Sequence, residues 1–183
     1  VNESEINICP GCDGIGPHGI SIDNANNQLY TASVLSDFIF KINLNNNEIL
    51  ENAMYNDEYA VPNIIIQRLK PIQCIYKDDY LFVSCSGGDW SLGDEDISGQ
   101  IHMYNATTLD PVSLFSEFDS DTSPWHLVAD NSSRIYVTLS GQSILGGQGI
   151  ACLSYSNQEL SLIWHNKDLN ENMDSPHGIS LSY

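Results

Sequence analysis

Residues 17–44 read PHGISIDNANNQLYTASVLSDFIFKINL, and the opening of this stretch recurs along the chain. Pro17-His18-Gly19-Ile20-Ser21-Ile22-Asp23 returns as Pro71-Ile72-Gln73-Cys74-Ile75-Tyr76 and as Pro124-Trp125-His126-Leu127-Val128-Ala129-Asp130. It begins once more as Pro176-His177-Gly178-Ile179-Ser180-Leu181. The steps are 54, 53 and 52 residues, and a fixed period of this size marks a solenoid, a propeller or an array.

Each repeat contains four short runs rich in Ile, Val, Leu, Tyr and Phe, several of them alternating. In the first repeat these are Ile20–Asp23, Leu29–Val34, Phe38–Asn43 and Glu48–Asn52. The second has Ile72–Tyr76, Tyr80–Cys85, Gln100–Tyr104 and Val112–Phe115, and the third Leu127–Asp130, Arg134–Leu139, Ile150–Tyr155 and Glu159–Trp164. Turn-forming residues such as Asn24-Ala25-Asn26-Asn27, Lys77-Asp78-Asp79 and Asn131-Ser132-Ser133 separate them. No segment carries a helical period. Four antiparallel strands repeated about an axis make the blade of a β-propeller, so the expected class is all-β with no helix longer than about two turns. The expected divisions are residues 1–16 as an N-terminal segment, 17–70, 71–123 and 124–175 as blades 1 to 3, and 176–183 as the first strand of a further blade.

The stretch 17–44 resembles a blade of the NHL or YVTN type, and PWHLVADNSSRIYVTLSG at 124–141 is similar. The resemblance covers nearly the whole chain and implies a propeller without implying an activity, because propellers host many. Propellers close with four to eight blades, and this sequence supplies three and the start of a fourth. Glu5–Cys9 offers an outer strand for a closing blade. An open arc leaves strand edges unpaired. The expectation is a piece of a longer chain or an arc completed by another subunit, so the expected partners are further blades or a second subunit over the open ends.

The 183 residues are 42% apolar, enough for an ordinary core. Twenty-four acidic residues against 6 basic ones give a net charge of −18. That surface repels nucleic-acid phosphates and anionic lipid headgroups, and it favours solubility, cations or basic partners. No apolar run reaches the roughly 20 residues of a membrane span, and no signal peptide is visible. The sequence starts at Val1, as a mature or trimmed form does. Sequons at Asn2, Asn105 and Asn131, the last two in or beside turns, point with the acidity to a secreted, extracellular glycoprotein carrying N-glycans.

Five cysteines are present. Cys9-Pro10-Gly11-Cys12 reads as a tight disulfide, a redox pair or half of a zinc site. The disulfide is favoured, because no second CxxC and no thioredoxin-like pattern accompany it. Counting through the hairpin turn at Lys77–Asp79 sets Cys74 opposite Phe82 or Val83 rather than opposite Cys85.

An up-and-down blade puts the start of its inner strand and the loop between its second and third strands at the same end. His18, His126 and His177 are therefore expected near one mouth of the channel, beneath the loops 86–99 and 140–148. Convergent imidazoles bind zinc or copper. The Pro-His-Gly entry resembles the zinc-ligating strand starts of peptidyl-α-hydroxyglycine amidating lyases, which implies His18 and His177 as ligands; if a metal binds, His126 is the expected third partner. His126 stands one place later, with Trp125 in the histidine position and Ile72 in blade 2. The simpler reading is a turn that starts each inner strand, with histidines filling a polar mouth. PWHLVAD also resembles the strand starts of propeller lactonases. Their basic substrate-binding residues find no counterpart here, since Arg68 and Arg134 are the only arginines. Asp89, Asp94, Glu95 and Asp96 form a candidate calcium loop, and Asp119-Ser120-Asp121 a lesser one, without the twelve-residue EF-hand pattern. No nucleophile elbow and no phosphate-binding glycine loop occurs. The functional expectation is a secreted binding or structural module, a building block of an extracellular assembly. The alternative is a metal-dependent propeller enzyme of amidating-lyase or lactonase type.

Overall fold

The computed structural model describes residues 17–34, 38–46, 48–54, 69–87, 98–119, 122–140, 148–166 and 176–182. Strands β1 (Pro17–Asp23), β2 (Gln28–Ser33), β3 (Phe38–Asn43) and β4 (Glu48–Met54) form the first sheet. The second holds β5 (Pro71–Lys77), β6 (Tyr80–Cys85), β7 (Gln100–Asn105) and β8 (Pro111–Phe115). The third holds β9 (Pro124–Ala129), β10 (Arg134–Leu139), β11 (Gly149–Ser154) and β12 (Ser161–His165). All neighbours are antiparallel and in sequence order, so each sheet is an up-and-down blade. The described helical residues are confined to short 3-10 turns such as Ser156–Gln158.

Local chemistry sets the turns. Asp23 Oδ1 accepts the Ala25 and Asn26 amides at 3.0 and 3.3 Å. Asp130 Oδ1 accepts those of Ser132 and Arg134 at 2.6 and 3.1 Å. Asn105 Oδ1 accepts those of Thr107 and Thr108 at 2.8 and 3.1 Å. A short side-chain oxygen that captures amides a few residues on mimics a backbone turn. Blade 2 turns differently. Asp78 (φ 51°) and Asp79 (φ 64°) both take the left-handed conformation of a two-residue hairpin whose twist matches its strands. That turn pairs Cys74 with Val83, as the count predicted, and sets Cys85 across from Pro71.

The blades stack through their faces. Tyr30, Ala32 and Ile39 of blade 1 join Cys74, Leu81, Val83, Cys85 and Tyr104 of blade 2 in one core. Phe82, Ile101, Met103 and Phe115, on the opposite face of blade 2, join Leu127, Ile135, Val137, Leu139 and Leu153 of blade 3. Blade 2 is covered on both sides, so Leu81–Cys85 is buried without interruption. Strands sandwiched this way lose the apolar–polar alternation of a half-exposed sheet. Beyond the blade joints the covering stops: Ile20 is 62% and Ile22 48% exposed on the outer face of β1.

Inner strands begin earlier than the apolar runs indicate, at Pro17 and Pro124 rather than Ile20 and Leu127. Proline has no amide hydrogen to give a ladder, and it is tolerated as the first residue of an edge strand. A bulge lies just inside each of these prolines. His18 is the extra residue in β1, Ile72 in β5, and Trp125-His126 occupy the bulge opposite Thr138 in β9. Residues 176–182 have no strand pairing among the described residues, although a strand at Ile179–Leu181 was expected. A strand needs a hydrogen-bonded neighbour to count as one, and the ladder that would supply it is not among the described residues.

Candidate functional site

The bulges build the site. A bulge leaves backbone groups without ladder partners and redirects the side chains beside it. In each blade a buried hydroxyl on the second strand meets that need. Thr31 Oγ1 donates to the Gly19 carbonyl at 2.9 Å. Ser84 Oγ accepts the Gln73 amide at 3.3 Å and donates to the Trp125 carbonyl of the next blade at 2.5 Å. Thr138 Oγ1 accepts the His126 amide at 2.9 Å. Thr31, Ser84 and Thr138 recur at steps of 53 and 54. That spacing is present in the sequence, but hydroxyl residues are common in strands, so it carries no distinct signal there.

The redirected side chains meet at one end of the inner strands. His18 packs edge-on against Trp125 with ring centroids 5.8 Å apart, and lies 6.5 Å from the roughly parallel ring of His126. Trp125 stacks on His177 at 5.0 Å. All three predicted histidines therefore gather around Trp125, including the one displaced by a position. The bulge at Trp125-His126 absorbs the offset, because it lets two consecutive side chains reach the same mouth. The tautomer of His18 is fixed: its Nδ1 lies 3.1 Å from the Ile72 carbonyl, which can only accept, so Nδ1 carries the hydrogen. His126 is half-buried and its Nδ1 is enclosed with no hydrogen-bond partner among the described residues. Burial, and then the neighbouring His18 and His177, lower its pKa. At His126 the neutral imidazole is the favoured form.

As arranged, His18 and His126 are too far apart to share one zinc. Two imidazoles bound to one tetrahedral zinc place their ring centroids roughly 5 Å apart, given nitrogen–zinc distances of about 2 Å. His18 and His126 are wider than that at 6.5 Å. Among the described residues no three His, Cys, Asp or Glu side chains stand close enough to share an ion. The calcium candidates Asp89, Asp94, Glu95 and Asp96 lie outside the described residues, as do Asp121, Asn2 and the Cys9–Cys12 pair.

The two remaining sequons are placed. Asn131 is exposed in the turn between β9 and β10, where its Oδ1 accepts from Lys77 Nζ at 3.0 Å. Asn105 closes β7 and is half-buried, its Oδ1 held by the turn amides. In both, the amide nitrogen that would carry a glycan is left out of the hydrogen bonds just given. Cys74 and Cys152 are buried thiols, and burial pushes Cys74 up to about 12, so it is inert as a nucleophile. A groove of about 400 Å³ opens between the outer strands of blades 2 and 3, lined by Leu114, Leu162, Glu117 and Glu159 among others. It belongs to the rim and not to the inner-strand mouth.

No protein-family model and no curated protein matches the chain. Solved structures do. Kuenenia stuttgartiensis hydrazine synthase superposes with a TM-score of 0.58 at 11% identity, over 81% of this chain and 36% of that one. A europium-containing methanol dehydrogenase gives 0.57 at 12%, over 79% and 31%. The Neurospora crassa Pan2 WD40 domain gives 0.53 at 10%, over 80% and 38%. The chain thus spans between 31% and 38% of the length of these structures. At such identities the likeness shows the fold alone, and with the three stacked four-stranded sheets that fold is the β-propeller.

Proposed function

We infer that the chain is a binding or structural module, a building block of a secreted, extracellular propeller assembly of the NHL or YVTN type. The observation that carries this is the blade joint. Each blade meets the next through an apolar face and specific inner-strand hydrogen bonds, yet Ile20 and Ile22 face outward from blade 1 with nothing described against them. Apolar groups on a sheet face that is elsewhere a blade joint mark an interaction surface. The mouth lined by His18, Trp125, His126 and His177 is the second contact surface. Its aromatic planes and imidazole nitrogens suit a ligand that stacks and accepts or donates single hydrogen bonds. The strongly acidic composition favours a basic or cation-bearing partner.

The second reading, a metal-dependent enzyme resembling the amidating lyases, rests on the convergence of the same three histidines. It requires the rings to close by more than about 1 Å onto zinc or copper. Secretion of the chain from a eukaryotic host, followed by elemental analysis, separates the two. Secreted, glycosylated protein with no stoichiometric zinc or copper supports the module. One equivalent of metal, lost together with a His18→Ala substitution, overturns it in favour of the enzyme.

A further inference from the structure

One position of the repeat ties each inner strand to the next. Counted from Pro17, Pro71, Pro124 and Pro176, the third residue of each inner strand is Gly19, Gln73, His126 and Gly178. The fourth is Ile20, Cys74, Leu127 and Ile179. Two joints show where the third residue points. A Cβ on Gly19 would lie 3.0 Å from the Cys74 amide nitrogen, which belongs to the fourth residue one blade on. Gln73 makes that contact with a full side chain: its Oε1 accepts the Leu127 amide, again the fourth residue one blade on.

In blade 3 the third residue is His126. Its backbone is pinned at the bulge by the amide bond to Thr138 Oγ1 at 2.9 Å. Its enclosed Nδ1 is a polar atom of the kind that costs free energy to leave unpaired. The fourth residue one blade on is Ile179. Residues 176–182 already meet β9 at the mouth, where His177 stacks on Trp125 at 5.0 Å, each being the second residue of its strand. His18 and Ile72, the second residues of β1 and β5, meet in the same way, by a hydrogen bond. Among the described residues no hydrogen bond joins Ile179 to His126 Nδ1.

We propose that His126 is the positioning residue of the mouth: as residues 176–182 seat as the next inner strand, its Nδ1 accepts the Ile179 amide and holds His177 on Trp125. A neutral ring whose Nδ1 accepts carries its hydrogen on Nε2. His18 is the reverse, because its Nδ1 gives its hydrogen to the Ile72 carbonyl. The mouth then offers a donor at His126 and an acceptor at His18, and His126 keeps no lone pair for a metal. The inference goes beyond the reading of the mouth as a contact surface, since it sets the hydrogen-bonding pattern there whichever partner binds.

The test is nuclear magnetic resonance on the nitrogen-15-labelled full chain. The ring shifts of His126 give its tautomer, and amide exchange at Ile179 reports the joint. The expected results are a neutral His126 protonated on Nε2, and an Ile179 amide that exchanges at least tenfold more slowly than in His126→Leu. His126→Asn retains the protection, because an asparagine Oδ1 takes the place of Nδ1. The Leu127 amide, held by Gln73, is the internal control: it stays protected in both variants, so a change at Ile179 is local. Three results overturn the proposal: a hydrogen on His126 Nδ1, an Ile179 amide that exchanges equally fast with and without His126, or a loss in His126→Asn equal to that in His126→Leu. The tautomer is read without any substitution, so it decides the matter even where His126→Leu loses the fold.

Discussion

Replacing Gly19 by alanine is predicted to open the joint between blades 1 and 2. The new Cβ would lie 2.4 Å from Gln73 Cα, 2.7 Å from the Ile72 oxygen and 3.0 Å from the Cys74 nitrogen. Ordinary contacts between such atoms are about 3.5–4.0 Å. All three are backbone atoms, so no side chain can swing away, and the strands must part by about 1 Å. The His18–Ile72 and Ser21–Tyr76 hydrogen bonds, at 3.1 and 2.8 Å, then stretch out of range. Each contributes about 0.5–1.5 kcal/mol, and overpacking costs about 1–3 kcal/mol. Alanine recovers about 0.5–1 kcal/mol because glycine is a poor strand residue. The net is a loss of about 3 kcal/mol, a large part of the roughly 5–15 kcal/mol that holds a domain folded. With a urea slope of about 2 kcal/mol/M, the midpoint followed by circular dichroism falls by about 1.5 M. A shift below about 0.3 M would show that β1 and β5 do not approach as described.

Thr138→Val removes the acceptor of the part-buried His126 amide and is expected to cost about 1–3 kcal/mol in the same assay; a neutral result would deny the hydroxyl its role at the bulge. Asn105 and Asn131 are expected to carry glycans when the chain is secreted, seen as two losses of mass after glycosidase treatment. Asn131, exposed in its turn, is expected at higher occupancy than the half-buried Asn105. Stability is predicted to fall on acidification. Burial pushes the His102 imidazole down to about 4, and burial with the charges of His18 and His177 lowers His126. The unfolded chain therefore binds more protons than the folded one as pH drops from about 6.5 toward 4, and stability is lost across that window. His102 alone contributes roughly 3 kcal/mol once protonated, so His102→Gln should flatten the measured slope; an unchanged slope contradicts its burial.

The sequence period carried the blade order because four apolar runs per repeat, separated by Asx turns, leave few other ways to pair. The turns after β1 and β9 were legible in Asn24–Asn27 and Asn131–Ser133, but the carboxylates that hold them, Asp23 and Asp130, read as strand ends. The bulges were not legible. Pro17 and Pro124 look like lead-in residues, since proline cannot donate to a ladder, yet both begin strands. That concealed why His126, one place out of register, still reaches His18: a bulge of Trp125 and His126 opposite one threonine brings both side chains to the mouth. Buried Lys41, whose Nζ donates to the Thr107 carbonyl of the next blade, had no sequence signal. Its partner is a backbone oxygen 66 positions away, which no local pattern encodes.

The central claim is that these blades are propeller blades whose outer faces require cover from outside the three-blade arc. Light scattering across a range of concentrations, on a polypeptide of residues 1–183 alone, tests it most directly. Ile20 and Ile22, at 62% and 48% exposure, lie on a face that is a joint in blades 2 and 3, and burying it is worth about 25 cal/mol per Å². The account predicts a particle heavier than one chain that dissociates, and loses its cooperative unfolding, on dilution. A particle of one chain's mass at every concentration, unfolding in a single cooperative step, would contradict it.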